Sequence, residues 1–265
     1  MSPRPLRVYV ITEEDPFYLP EFFREFLAEL PQDRFEILGI DITPPLNQSS
    51  RRALARKLYG FYGGLDFVRL LGRYATARTL DLVAPRGLWC GTISRLAGCH
   101  GVACRAVKNV NAPAYVEHVR RLAPDLLVSV AASQIFKPAL LSVPRLAAVN
   151  VHTGPLPKYR GMMPVFWQMY DRQKQIAITL HTMTPDIDLG KVLLQREVPL
   201  NGDRNLDYVI RKMKREGAHA LVELLERYHA GTVEPVAMDR SRERYHSFPG
   251  RAEAARFRLM GYRLV

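Results

Sequence analysis

The chain alternates short, nearly unbroken apolar runs with longer stretches in which apolar residues recur every three or four positions. LRVYVIT (6–12), FEILGIDI (35–42), LLVSVAA (126–132) and LAAVNVH (146–152) are of the first kind, and each predicts a strand buried on both faces. EFFREFLAEL (21–30), APAYVEHVRRL (112–122) and the long LDYVIRKMKREGAHALVELLERYHAG (206–231) are of the second kind and predict amphipathic helices. RRALARKLYGFY (51–62) and LDFVRLLGRYATARTLDLV (65–83) predict two more, separated by Gly63 and Gly64, with Ser50 placed to cap the first. A short helix is expected at 91–98, a third strand at VACRAVKNV (102–110), and Asn111 as the cap of the helix after it. MPVFWQMYDR (163–172) predicts a helix, QIAITLHTM (175–183) and KVLLQREVPL (191–200) two further strands, and the tail to Val265 an irregular basic segment. This alternation predicts an α/β fold: a Rossmann-like, mostly parallel sheet with flanking helices, over residues 1–200, followed by a short helical C-terminal extension, 201–265.

Composition narrows the class. A hydrophobic fraction of 48% suits a chain of 265 residues with a substantial core, and no run is long enough to span a membrane. MSPRPLRVYVIT reads as a strand rather than a leader, and three irregularly spaced cysteines read as reduced thiols, so a cytoplasmic location is expected. His100 beside Cys99 has no further ligand spacing, and no metal is expected. The net charge of +12 is uneven, with eleven Lys and Arg against Asp66 and Asp81 between Arg51 and Lys108. Such a run is most often a solvated helical face; its functional alternative is an anionic partner such as a nucleotide, RNA or a membrane surface. The first loop, EEDPFYLP (13–20), lacks the Gly-rich turn of a phosphate cradle.

Candidate chemistry concentrates between Val149 and Gly190. Asn150 and His152 lie two apart at a strand end, so they share a face, and TGPLPKYRG (153–161) must be a loop. Asp188 follows in the turn DIDLG. An amide, an imidazole and a carboxylate suit a reaction in which a carbonyl oxygen becomes negative, with the carboxylate favouring a protonated imidazole. None of the three is an obvious nucleophile, so the simplest scheme is direct attack by a substrate amine on an acyl donor. By residue type alone, Asn, His and Asp in turns more often cap or bridge backbone.

NVHTGPLPKYRG (150–161), ITLHTM (178–183) and DIDLGKVLLQ (186–195), in this order and spacing, resemble the folate-dependent formyltransferase family; the similarity extends upstream through PDLLVSVAASQIFKP (124–138) to the first strand. The resemblance implies 10-formyltetrahydrofolate as co-substrate and Asn150, His152 and Asp188 as the catalytic residues. It places the pterin between Ser133, Gln134, Ile135 and Phe136 on one side and Pro185 and Asp186 on the other. Lys158, Arg160 and Tyr18 would then face the acceptor. Within the family the run after the histidine, Thr153-Gly154-Pro155-Leu156-Pro157, departs from methionyl-tRNA formyltransferases, and 65 residues leave little room for their tRNA-binding barrel. Glycinamide ribonucleotide formyltransferases start with a Gly-rich loop, and formyltetrahydrofolate deformylases with a regulatory domain. The expectation is therefore formylation of a nucleotide-linked amino sugar, with methionyl-tRNA as the nearest rival. A basic RNA- or membrane-binding protein on an inactive scaffold is the rival from another class.

Overall fold

A computed structural model describes residues 4–45, 51–85 and 91–265; Ser50 lies outside the described residues. At the centre five strands run parallel: β1 (Leu6–Glu13), β2 (Phe35–Thr43), β3 (Cys104–Ala106), β4 (Leu126–Val130) and β5 (Ala147–His152). An antiparallel pair, β7 (Gln175–Thr182) and β8 (Val192–Pro199), closes the sheet on the β5 side. The seven strands lie in the order β3-β2-β1-β4-β5-β7-β8. The mostly parallel α/β class expected from the apolar pattern is the one observed. β3 is much shorter than predicted. It is an edge strand: after the Val107 amide donates to the Ile42 carbonyl the chain leaves the sheet, and Gln134 takes up the Lys108 carbonyl and the Val110 amide.

The inner strands serve two cores at once, which is why their sequences read as unbroken apolar runs. Val8, Val10, Leu126, Val128 and Val130 point into the larger core, while Tyr9, Ile11 and Leu127 point into the smaller one on the opposite face. The larger core is roofed by α1 (Leu19–Glu29) and α7 (Leu206–Ala230), which pack on each other. Phe22, Phe23 and Phe26 on α1 are almost wholly buried. Each contributes roughly 1.5–3 kcal/mol by leaving water, and Phe26→Ala would cost about 3–5 kcal/mol. Asn205 caps α7 by accepting from the Tyr208 amide at 3.0 Å, and Gly231 ends it in a left-handed conformation (φ 69°). Leu221, Leu224 and Leu225 of α7 belong to the same core as the sheet.

α2 (Arg51–Val83) is broken at Gly63, whose φ of 71° and ψ of 177° are not helical, so two helices meet at the predicted glycines. α3 (Ile93–Cys99) is capped by Thr92. α4 (Pro113–Leu122) starts after Ala112, not Asn111, and has no side-chain cap. Asn111 instead donates to the Ile135 carbonyl and accepts from the Lys137 amide, tying the β3–α4 loop to the loop after β4. The tail is not irregular. Beyond α7, β9 (Tyr245–His246) pairs in parallel with β6 (Arg160–Gly161), and α8 (Arg251–Leu259) buries Ala254 and Phe257. The remaining elements are α5 (Pro138–Leu141) and α6 (Pro164–Tyr170).

Candidate active site

The chain runs outward from β1 to β2 and β3, then returns to lay β4 beside β1. Strand order therefore reverses at β1/β4, and a crevice opens at their carboxyl ends, where open α/β sheets bind ligands. A cavity of about 820 Å³ occupies this place. The loops after β1, β4, β5 and β7 line it, together with both halves of α2.

Asn150 and His152 project from one face of β5, while Val149 and Val151 fill the main core behind them. β7 pairs antiparallel with β5 so that His181 stands directly opposite Asn150. Asp188 arrives on the β7–β8 connection with φ 54°, a left-handed conformation that Asp tolerates better than most residues. Its Oδ2 accepts from the Gly161 amide at 2.9 Å and lies 3.6 Å from His152 Nδ1, and its Oδ1 lies 3.6 Å from His181 Nε2. Asn150 Nδ2 lies 3.2 Å from His181 Nε2 and 3.5 Å from Asp188 Oδ1. The three residues singled out in the sequence are thus together, with a fourth, His181, among them. Its signal is present in ITLHTM, where a histidine stands within a buried strand.

Carbonyl partners fix both imidazoles. His152 Nε2 is 2.6 Å from the Tyr159 carbonyl, and His181 Nδ1 is 2.9 Å from that of Thr182. A carbonyl only accepts, so each of these nitrogens carries a proton. Neutral His181 then offers Nε2 as acceptor to the Asn150 amide, and neutral His152 offers Nδ1 toward Asp188 and the cavity. Burial pulls His152 below the ordinary histidine range, although Asp188 opposes this. The protonated imidazole expected from the neighbouring carboxylate is therefore not the resting form; desolvation outweighs the charge. Burial pushes Asp188 up, whereas His152 and His181, in their protonated forms, and the Gly161 amide pull the carboxyl well below its usual range.

The loop residues assigned to the pterin, Ser133, Gln134, Ile135 and Phe136, all line the cavity, as do Pro185 and Asp186 across from them. Their side chains divide the work. Ser133 donates to the Pro44 carbonyl, and Gln134 bridges the Lys108 carbonyl and the Val110 amide. Phe136 is buried in the smaller core, whereas Ile135 is exposed. Tyr18 lines the cavity. Lys158 does not; its ammonium sits over the Tyr159 ring. Arg160 is buried and engaged, donating through Nε and Nη2 to the Ile187 carbonyl and through Nη1 to Glu243. It braces the Asp188 turn from behind, so Lys158 and Arg160 are not placed to meet an acceptor.

Two close approaches fix the loops. A Cβ at Gly190 would lie 1.6 Å from the Thr182 carbonyl oxygen, and one at Gly154 would lie 2.9 Å from Pro164 and 3.1 Å from His152 Nε2. Much of the charge on the basic stretch is satisfied internally: Arg69 pairs with Asp66, Arg73 with Asp207, Arg95 with Asp81 and Arg105 with Asp41. Away from the cavity, Glu25, Glu29 and His219 bring ligand-type atoms within 4.8 Å of one another where α1 meets α7. His219 Nε2 lies 3.4 Å from Glu29 there.

Residues 100–225 match the family model described as formyl transferase. A methionyl-tRNA formyltransferase of Pelobacter propionicus is 36% identical over 143 residues, covering 54% of this chain and 45% of that protein. The chain spans about half the length of the curated relatives it matches. Among solved structures, glycinamide ribonucleotide transformylase 1 from Symbiobacterium toebii superposes with a TM-score of 0.58 at 14% identity, covering 88% of this chain and 94% of that one. An N-formyltransferase from Helicobacter canadensis, described as a complex with folinic acid and dTDP-3-aminofucose, gives 0.55 at 14% identity over 91% and 71%. The matched stretch carries Asn150, His152, His181 and Asp188, so over residues 100–225, just under half of its length, the chain is similar to the formyl transferase family.

Proposed function

We propose that the protein transfers a formyl group from 10-formyltetrahydrofolate to a primary amine. The observation that carries this reading is the Asn150–His152–His181–Asp188 cluster set at the carboxyl end of β5, inside a cavity at the topological switch point. The folate supplies the formyl group. A pterin suits the slot between the 133–136 loop and Pro185–Asp186, which offers backbone polar groups beside Ile135, Met183 and Ile187. The folinic acid held by the Helicobacter canadensis N-formyltransferase supports that choice.

In this reading Asn150 donates to the formyl oxygen as it gains charge. One of its amide hydrogens is held by His181 at 3.2 Å; the other faces Asp188 at only 3.5 Å and is available to a carbonyl. His152, neutral at rest, takes the proton leaving the amine on Nδ1, and the resulting imidazolium sits 3.6 Å from Asp188, which stabilises it. No side chain is needed as nucleophile.

A nucleotide-linked amino sugar is the acceptor expected from the sequence by elimination among the members of the resembled family; Lys158 and Arg160, expected to face it, are turned instead to Tyr159, Ile187 and Glu243. Methionyl-tRNA, named by the sequence relatives, remains the rival, and steep loss of rate with added salt would favour it. The test is tetrahydrofolate release from 10-formyltetrahydrofolate with a panel of amines. Amine-dependent release that disappears in Asn150→Ala supports the reading. Amine-independent release would mean hydrolysis, and no release together with no folate binding would exclude formyl transfer.

A further inference from the structure

The half of the cavity beyond Asn150 is walled by carbon. Leu54, Leu58, Phe67, Leu70, Leu71 and Tyr74 of α2 line it, with Phe17 packed against Tyr74 and Phe248 against Phe61 of the same helix. Charges in the lining are mostly of one sign. Among the described residues the lining carries Glu13, Glu14, Asp15, Asp186 and Asp188 against one cation, Lys214. That lysine is half-buried and is drawn toward the charges of Asp15 and Glu13. Among the described lining residues a phosphate would meet more carboxylates than cations, although the chain as a whole carries +12. The Tyr18 hydroxyl is buried in this wall beside that of Tyr62, so the two form a polar spot that a ligand atom can join. Leu71 and Tyr74 line the cavity and are also 50% and 42% exposed, and Leu65 and Val68 continue the apolar surface outward along the same helix.

We propose that the acceptor is a primary amine carried on an extended apolar chain, with no phosphate near the amine. The chain lies along α2, and its first polar atom hydrogen-bonds to Tyr18. This rests on the formyl-transfer reading and names its substrate class. The amine nitrogen bonds to the formyl carbon, the bond from that carbon to N10 of the folate breaks, and the proton lost by the amine passes by way of His152 to N10. The products are an N-formyl amine and tetrahydrofolate, so no further reactant is needed.

The test measures tetrahydrofolate release with straight-chain primary amines from butylamine to octylamine, against a nucleoside diphosphate-linked amino sugar. Binding of 5-formyltetrahydrofolate is measured in parallel. Each methylene that leaves water should raise kcat/KM about fourfold until the chain passes Leu71. Leu71→Asp, at a half-exposed position whose change spares the core, should flatten that slope while folate binding persists. If folate binds but rate is independent of chain length, or the nucleotide-linked sugar outruns every alkylamine, the inference is overturned and formyl transfer stands. If neither folate binding nor release occurs with any amine, both fail.

Discussion

His181→Phe tests the site reasoning most directly, because His181 touches no substrate in the scheme yet holds the group that does. The residue is 2% exposed, and phenylalanine fills nearly the same space. Two hydrogen bonds disappear: the one from Nδ1 to the Thr182 carbonyl at 2.9 Å and the one between Nε2 and the Asn150 amide at 3.2 Å. The first leaves a carbonyl short of a partner and costs stability of about 1–3 kcal/mol, read by urea denaturation. The second frees the Asn150 amide to rotate, and a neutral hydrogen bond of about 1–1.5 kcal/mol corresponds to roughly a five- to thirteenfold loss of kcat. Asn150→Ala, which removes the oxyanion donor itself, should cost on the order of a hundredfold or more. Because His181 acts through Asn150, the double variant should match Asn150→Ala within about twofold. Tetrahydrofolate release under saturating donor and amine measures all four proteins. If the two losses multiply, or if His181→Phe retains full rate, the positioning argument is wrong.

Three other perturbations follow from the same geometry. Gly190→Ala forces a methyl into the Thr182 carbonyl and should destabilise the protein by about 3 kcal/mol or more; an unchanged denaturation midpoint would refute the close approach. Arg160→Ala removes the brace behind Asp188 and should lower both kcat and thermal stability, and Arg160→Lys should not rescue either, because a single ammonium cannot span Ile187 and Glu243. Burial keeps His152 unprotonated in the folded state, so below about pH 6.5 the unfolded chain binds a proton that the native protein refuses, and stability falls as pH falls. The slope contributed by this residue is at most about 1.4 kcal/mol per pH unit, and His152→Gln should remove it; equal slopes in the two proteins between pH 7.5 and 5 would refute it.

Much of this arrangement is written in local pattern. Doubly buried strands announce themselves as unbroken apolar runs, and a two-residue spacing on a strand guarantees that Asn150 and His152 share a face. Asn111 shows where such reasoning stops. An Asx residue before a proline has the signature of a cap, yet its side chain finds partners at Ile135 and Lys137, 24 and 26 residues away. Arg160 shows the same limit: a cation in a loop, expected to meet phosphate, is recruited by a glutamate 83 residues on. The tail reads as irregular because a two-residue strand has no periodicity, and its pairing with β6 exists only in three dimensions. His181 escapes local reasoning because its importance comes from register, which sets it across from Asn150.

The β6–β9 clip has a consequence for how the protein is made. Arg160 leaves the ribosome 83 residues before Glu243, an interval on the order of ten seconds at ordinary rates of synthesis. Throughout that time the sheet can form while the turn that presents Asp188 has no brace. The sheet of the newborn chain therefore precedes its chemistry, because the brace on the Asp188 turn waits for Glu243.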